Sequence, residues 1–222
     1  NERRNQLHEV IRLSGMNIII DDTDHPLIIK VASIQAARRQ VYFIDNDDYF
    51  QHRLMTTDEE GKEYEDNGER AIFYARGVLE TVKKLRWCPD IIHCHGWMSA
   101  VVPLFIKKAY YDEPSFRDSK VIFSVYGNGF QSNLVPNFKE QVLFRDITPE
   151  DLSMINDPVN HDELCKLAIT YSDGVIQNSE NVNPAIMDYA RSLNIPVVDY
   201  QPADTYADAC NALYDKVWEE AE

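Results

Sequence analysis

Two histidines and a cysteine alternate in the segment DIIHCHGWMSA, residues 90–100, and their types and spacing suit binding or catalytic chemistry. An apolar run leads into this segment, as in a buried strand that passes into a helix. Side chains of a strand alternate between faces, so His93 and His95 should share one face while Cys94 points to the other. Gly96 permits a tight strand-to-helix turn and the close approach of a ligand to backbone N–H groups.

Paired histidines on one face of a strand can bind a metal ion. Zinc would need one or two more ligands, and no second cluster of His, Asp or Cys has suitable spacing in this sequence. We therefore expect no metal site. Two roles remain open for His93 and His95, namely structural hydrogen bonding to the backbone or contact with a substrate.

The chain carries a strong excess of negative charge. Among its 222 residues, 37 are acidic and 22 are basic, which gives a formal net charge of −15. Such a chain repels phosphate backbones and anionic lipid surfaces, so neither nucleic acid nor a membrane is expected as a partner. The sequence also contains no apolar run of about 18 residues, the length that a membrane span requires. A neutral partner such as a sugar polymer remains compatible with this charge.

The four cysteines are widely spaced and form no CxxC motif. In a chain of this size, such cysteines are typical of reduced thiols that pack as small apolar side chains. No signal peptide is recognisable, and the sequence indicates a cytoplasmic protein. The chain begins at Asn1 rather than at a methionine, so we expect that further residues precede it in the natural protein.

The first part of the chain differs in character from the segment that follows it. Residues 8–50 are β-rich, with strands predicted over residues 27–34 and 41–45, where β-branched and aromatic residues lie between polar turns. Residues 51–68 are charged and show no apolar period. This pattern predicts a solvated surface loop.

Helical periodicity begins after this loop. Apolar residues recur at three- and four-residue spacing over residues 69–85, which predicts a helix with Asn67 as its N-cap. Further strands are predicted over residues 90–95, 120–126, 174–179 and 196–200. A last helix is predicted from the apolar stripe formed by Tyr206, Cys210, Leu213 and Val217.

Three other helix starts are predicted from capping residues. Thr148-Pro149 and Asn183-Pro184 each place a capping side chain before a proline at the first helical position. Asn160 and Glu163 have the spacing of a capping box.

Strands and helices alternate in the second part of the chain, which is typical of an α/β fold. We expect a Rossmann-like three-layer domain with a mostly parallel sheet that is covered on both faces. Ligands bind such sheets beyond the carboxyl ends of the strands. Three loops lie in these positions: HCHGWM at residues 93–98, YGNGFQS at residues 126–132 and QNSENV at residues 177–182.

The glycines of the second loop do not form a nucleotide-binding motif. The segment YGNGF matches neither GxGxxG nor a P-loop, and we expect no cofactor. Gly127 and Gly129 are instead expected to take positive φ angles in a turn.

Four segments together resemble the glycogen and starch synthase family. VYFIDNDDYF, residues 41–50, resembles the family's VYxIDNxxYF, and DNGERAIFYARGVLE, residues 66–80, resembles its DNxxRFxxFxRAALE helix. RWCPDIIHCHGWMSAVVPLFIK, residues 86–107, is similar to xWxPDVVHCHDWHTALVPxYLK. SDGVIQNSENVNPAIMDYA, residues 172–190, is similar to ADxVVTVSxxYAxEI. These segments keep the family's order and spacing over roughly residues 40–190, and this makes the combination specific.

The resemblance implies the N-terminal domain of a GT-B glycosyltransferase, in which two Rossmann domains enclose the active-site cleft. In this family the N-terminal domain holds the glucan acceptor, the C-terminal domain binds most of ADP-glucose, and the product is an α-1,4-glucan. Residues 1–222 would then form a single acceptor-side domain without its first strand and without a C-terminal donor domain. α-Glucan and ADP-glucose are the implied ligands, and a separate protein that supplies the missing domain is an allowed partner.

The sequence departs from the family's pattern at the place of the implied active site. The family's DWH turn is Gly96-Trp97-Met98 here, so Met98 replaces the histidine that is usually given the active-site role. The family's TIHNxxYQG segment is SVYGNGFQS here, so Tyr126 replaces another histidine, while Asn128 and Gln131 stay polar. These departures imply weak transfer, or none, by this chain alone.

We expect substrate binding by His93, His95, Trp97, Asn128 and Gln131. His95 is also the candidate catalytic group, because its imidazole lies nearest to the one that the family pattern would supply. For Trp97, stacking on a sugar face competes with packing in the core.

Three functions remain open at the level of the sequence. The first is an acceptor-type domain related to glycogen synthase, which binds glucan or a partner protein and has weak catalysis or none. The second is one part of an active synthase, and the third is an unrelated use of a Rossmann-like fold. The negative charge, with no Arg or Lys cluster at the predicted strand ends, favours the first over the second, because a diphosphate leaving group requires positive charge.

Overall fold

The computed structural model describes residues 8–13 and 15–220, and for residues 8–13 it describes the backbone only. The strands are β1 His8–Leu13, β2 Asn17–Ile20, β3 Thr23–Pro26, β4 Ile28–Ile34, β5 Arg39–Asp45, β6 Ile91–His95, β7 Lys120–Val125, β8 Gly174–Gln177 and β9 Val197–Val198. The α-helices are α1 Asn67–Lys84, α2 Val102–Lys108, α3 Phe138–Val142, α4 His161–Thr170, α5 Pro184–Ser192 and α6 Ala203–Glu219. Short 3-10 helices occur at Gln35–Ala37, Trp97–Ser99 and Pro149–Leu152.

The chain divides into two compact units, with the boundary between Met55 and Thr56. The first unit contains the antiparallel sheet β1-β4-β5 and the separate antiparallel hairpin β2-β3. Its β-rich character was predicted correctly. In β2, Ile18 and Ile20 are buried while Ile19 is exposed, as the alternation of strand side chains requires.

A polar turn ends β5 in the first unit. The Oδ1 atom of Asn46 accepts hydrogen bonds from the backbone N–H groups of Asp48 and Tyr49, at 2.9 and 3.0 Å. Its Nδ2 donates to the carbonyl oxygen of Pro26 at 2.8 Å. The amide therefore forms an Asx-type turn and ties it to the neighbouring segment.

The second unit is built on the parallel sheet β6-β7-β8-β9, with helices on both of its faces. The predicted α/β class and the mostly parallel sheet are confirmed by this arrangement. On one face, Ile122 and Ile176 pack against Leu213 and Val217 of α6. The next residue along β7, Phe123, points to the opposite face and is fully buried. Near-continuous apolar strands such as β7 are expected where both faces of a sheet are covered.

The predicted helix starts are confirmed at three positions. Asn160 accepts a hydrogen bond from the backbone N–H of Glu163 at 2.9 Å, and Asn183 accepts one from Ala185 at 3.0 Å. Thr148 precedes a 3-10 helix, and its backbone N–H donates to the Asp151 carboxylate at 2.8 Å.

The predicted cap of α1 is wrong. The N-cap is Asp66, and Asn67 is the first helical residue, with only 1% of its surface exposed. Its amide accepts from Nη1 of Arg70 at 2.9 Å and donates to the Thr56 carbonyl at 3.1 Å. Asn67 therefore serves as a buried side chain that hydrogen-bonds to Arg70 and Thr56, and it does not cap the helix.

No helix among the described residues is both long and apolar enough to cross a membrane.

Candidate functional site

The loops that follow β6, β7 and β8 are joined by direct contacts at the carboxyl edge of the parallel sheet. Nδ1 of His95, at the end of β6, lies 3.1 Å from the hydroxyl of Tyr126, which follows β7. The backbone N–H of Gly127 donates to Oγ of Ser179, which follows β8, at 2.7 Å. The prediction that these three loops lie at strand ends is therefore confirmed, and hydrogen bonds connect each loop to the next.

His93 is held by the protein through both of its ring nitrogens. Nε2 lies 2.6 Å from Oγ of Ser124 on β7, and Nδ1 lies 2.6 Å from the hydroxyl of Tyr214 on α6. Burial, and to a smaller extent the neighbouring His95, lower the pKa of His93 to about 4. The ring is thus neutral at physiological pH and links the sheet to α6.

His95 stacks on His93, and the residue as a whole remains exposed. Partial burial of its ring lowers its pKa. Its Nδ1 faces the Tyr126 hydroxyl, and no hydrogen bond to Nε2 occurs among the described residues. A neutral imidazole with one nitrogen oriented by a tyrosine is suited to hydrogen bonding with a neutral polyol.

Gly96 takes a backbone conformation that side chains rarely adopt, with φ 73° and ψ −179°. Its N–H donates to the carbonyl of Ser124 at 3.2 Å, which turns the chain from β6 into the 3-10 helix. A Cβ atom at this position would lie 3.7 Å from the ring of Tyr126, so space is not the constraint. The glycine is required by the backbone angle, as the strand-to-helix turn predicted.

The predicted reason for the glycines of YGNGF is wrong. Among the described glycines, positive φ occurs at Gly61 and Gly96 and not in this loop. A Cβ on Gly127 would lie 2.3 Å from Oδ1 of Asn181, and one on Gly129 would lie 2.3 Å from the ring of His161. Close approach of the loop to Asn181, which follows β8, and to His161, the first residue of α4, therefore excludes side chains at both positions.

A carboxylate from the charged segment holds the far end of this loop. The two carboxylate oxygens of Glu63 accept from the backbone N–H groups of Gln131 and Ser132, the second at 2.8 Å. Most of residues 51–68 are at least partly exposed, as the sequence predicted, but this contact of Glu63 was not predicted. Nothing in the sequence indicated it, because Gln131 lies 68 residues from Glu63 along the chain.

The other predicted substrate-binding residues differ in their accessibility. Trp97 is 4% exposed and packs edge-on against Phe130, with ring centroids 5.4 Å apart. Asn128 and Gln131 are both exposed on the loop after β7. The structure thus provides two accessible amides and a buried indole, and a role for any of them in binding stays a prediction.

Asn178 was not identified from the sequence. It follows β8 directly, and its backbone N–H donates to the carbonyl of Val125 at 2.8 Å. Its Oδ1 atom is buried and has no hydrogen-bond partner among the described residues. The signal that could have indicated it is a polar residue directly at the carboxyl end of a buried strand.

No group of three or more His, Cys, Asp or Glu side chains within the described part of the chain is arranged to hold a metal ion. Apart from Glu180, which is exposed on the loop after β8, the side chains described above at this edge are uncharged hydrogen-bonding groups, and the Glu63 carboxylate binds the backbone of the loop after β7. Such a set suits recognition of hydroxyl groups better than recognition of phosphate.

Comparison with known proteins identifies the family that this chain resembles. The family model described as "Starch synthase catalytic domain" matches residues 1–194. A glycogen synthase of Pelodictyon phaeoclathratiforme is 34% identical over 161 residues, which cover 72% of this chain and 33% of the relative. A glycogen synthase of Chlorobium limicola is 36% identical over 154 residues, which cover 69% of this chain and 30% of the relative.

A solved structure shares the fold. The catalytic domain of Starch Synthase IV from Arabidopsis thaliana, bound to ADP and acarbose, matches with a TM-score of 0.64 at 14% identity. The match covers 91% of this chain and 43% of that one. The aligned part of the chain spans about a third of the length of the curated relatives.

Proposed function

The chain belongs to the starch synthase catalytic domain family, and we propose from this that it supplies the acceptor side of an α-1,4-glucan synthase that uses ADP-glucose. Its role is to bind the end of a glucan chain at the carboxyl edge of the β6-β9 sheet. The observation that carries the proposal is the family match over residues 1–194, which includes all three loops of that edge.

The chemistry of the edge supports a glucan as its ligand. His95, Asn128 and Gln131 are exposed, neutral at physiological pH and able to form hydrogen bonds with sugar hydroxyls. His93 orients the stacked ring of His95 and is itself bound through both nitrogens. The net charge of −15 is no obstacle, because a glucan carries no charge.

We propose that these residues alone transfer glucose from ADP-glucose to a glucan weakly or not at all. Met98 stands where the family pattern has its active-site histidine, and it is only 7% exposed. The loops at residues 96–99, 126–132 and 178–183 contain no lysine or arginine. They therefore bring no cationic side chain to a diphosphate leaving group, a contribution that matters in such reactions. His95 remains the candidate catalytic group within the proposal.

A non-catalytic glucan-binding or partner-binding domain is the alternative function. It is favoured by Tyr126, whose hydroxyl engages His95 at the place where the family pattern has an imidazole. A separate protein that contributes the donor-binding groups is compatible with either form of the proposal. A cytoplasmic location belongs to the same proposal.

The experiment measures binding and transfer with the same preparation. We expect the chain to bind maltoheptaose in calorimetric titration, with little or no glucose transfer from radiolabelled ADP-glucose. His95→Ala should weaken binding about fivefold to tenfold, because one or two hydrogen bonds to the sugar are lost. His52→Ala, at an exposed histidine of the first unit, is the matched control and should bind as the parent does.

Each outcome has a defined meaning. Absence of binding at millimolar maltoheptaose would contradict the proposed function. Rapid transfer by the chain alone would retain the family reaction and contradict the proposal of weak catalysis. Unchanged affinity in His95→Ala, with a lowered melting temperature, would assign His95 to structure.

A further inference from the structure

Two neighbouring backbone N–H groups converge on one carboxylate behind the proposed glucan site. Gln131 and Ser132 donate to the two different oxygens of Glu63, and the Ser132 bond measures 2.8 Å. Nothing in the family match assigns a role to this carboxylate. Charge-assisted bonds of this kind are among the stronger hydrogen bonds in proteins.

Glu63 is presented by a tight turn rather than by a loose loop. Residue Thr57 pairs with Glu63 in an antiparallel bridge. Between them, Oδ1 of Asp58 accepts from the N–H groups of Glu60 and Lys62, each at 2.9 Å. Gly61 completes the turn with φ 86°.

This turn is connected to α1 by hydrogen bonds. The N–H of Tyr64 donates to the carbonyl of Thr56 at 3.2 Å, and the same carbonyl accepts from Nδ2 of the buried Asn67 at 3.1 Å. The position of the Glu63 carboxylate is thus determined by the packed helix through a short chain of hydrogen bonds. A group held in this way can transmit order to the loop that it contacts.

The electrostatics agree with an ionised carboxylate. Burial acts to raise the pKa of Glu63, but hydrogen bonds from the Ser132 side chain and from the Gln131 and Ser132 backbone together lower it by more, so the pKa lies below its usual value. Glu63 therefore accepts both bonds as an anion at physiological pH.

The loop from Tyr126 to Ser132 has separate attachments along its length. Its first half is held at Gly127 by Ser179, and its middle is held where Phe130 packs against Trp97. Its last two residues are held by Glu63. Without the carboxylate, the backbone of Gln131 would lose this attachment to α1.

We propose that Glu63 is the positioning residue of the glucan site, which it serves by ordering the loop that carries Asn128 and Gln131. This inference rests on the proposed glucan binding and adds a residue to it. Glu63 contacts the loop backbone rather than the sugar. Its contribution is preorganisation, because a loop that is ordered before binding does not lose that conformational entropy on binding.

The test uses Glu63→Gln in the full chain. The substituted amide keeps one acceptor oxygen, while its NH2 group faces a backbone N–H donor. We expect amide hydrogen exchange of Gln131 and Ser132 to accelerate by about tenfold or more, and the Kd for maltoheptaose to rise about fivefold. Glu63→Asp keeps the charge and both oxygens and should recover part of the affinity. Glu60→Gln removes an equal charge from the same turn, at an exposed side chain, and should change neither quantity.

The outcomes separate this inference from the function on which it rests. If the parent chain fails to bind maltoheptaose, the proposed function fails and the inference fails with it. If the parent binds and Glu63→Gln binds equally well, the inference alone is overturned. If affinity falls while exchange at the two amides is unchanged, Glu63 does not act through the loop, and the inference is overturned as well.

Discussion

The imidazole rings of His93 and His95 stack on one another, with centroids 4.1 Å apart and planes inclined by 21°. The two residues alternate along β6, so they share the face that is covered by α6, as their spacing predicted. Two like rings at this distance cannot both carry a proton without mutual repulsion. Protonation of His93 or His95 should therefore weaken the stack, and through the contact of His93 with Tyr214 it should affect the packing of α6.

The stability of the chain should depend on the protonation of His93. Its pKa is about 4 in the folded chain, whereas the unfolded chain has the usual value near 6.5. Between these values the unfolded state binds more protons, so the free energy of unfolding should fall as the pH is lowered from about 6.5 towards 4. The slope should be smaller than the ~1.4 kcal/mol per pH unit of one whole proton, because the ring is partly solvated.

The measurement is urea unfolding of the parent and of His93→Asn at pH 7, 6 and 5. The asparagine cannot titrate but can bond to Ser124 or Tyr214. The parent should lose more stability than the variant over this range. Parallel pH profiles for the two proteins would contradict the assignment of the proton to His93.

Tyr214→Phe should loosen the attachment of α6. The change removes the hydroxyl that lies 2.6 Å from Nδ1 of His93 and leaves a part-buried nitrogen without its partner. We expect a loss of about 0.5–1.5 kcal/mol in the free energy of unfolding. Chemical denaturation tests this, with Tyr200→Phe, at an exposed tyrosine outside α6, as the control.

Gly96→Ala should be destabilising although the site has room for a methyl group. The nearest atom would be 3.7 Å away, but φ 73° with ψ −179° belongs to a region that is essentially restricted to glycine. We expect a cost of about 1–3 kcal/mol, measured by thermal and urea unfolding. An alanine variant as stable as the parent would show that the turn can relax, and would remove the backbone argument for Gly96.

Gly129→Ala should be destabilising for the opposite reason, which is lack of space. Its Cβ would lie 2.3 Å from Cδ2 of His161. We expect a cost of about 1–3 kcal/mol from overpacking. The double variant with His161→Ala should cost less than the sum of the two single changes by about 1 kcal/mol, because the colliding ring is gone. Strict additivity in denaturation experiments would contradict the contact.

Local features of the chain were predictable because they depend on neighbours in the sequence. The spacing of apolar residues predicted α1, and the caps at Asn160 and Asn183 were identified correctly. The order of strands and helices also predicted which loops reach the carboxyl edge of the sheet. Asn67 shows the limit, because its partners Arg70 and Thr56 engage it by burial rather than by local capping.

The amino-acid sequence by itself determined the α/β class, the family and the residues that stand at the strand ends, since these follow from periodicity, turn chemistry and the order of motifs. Only the tertiary structure decided how those residues are used. The bond between His93 and Tyr214 spans 121 positions, and the contact between Glu63 and Gln131 spans 68. Such pairs form only when the whole sheet and its helices are packed, because hydrogen bonds act over a few ångströms whatever the separation along the chain.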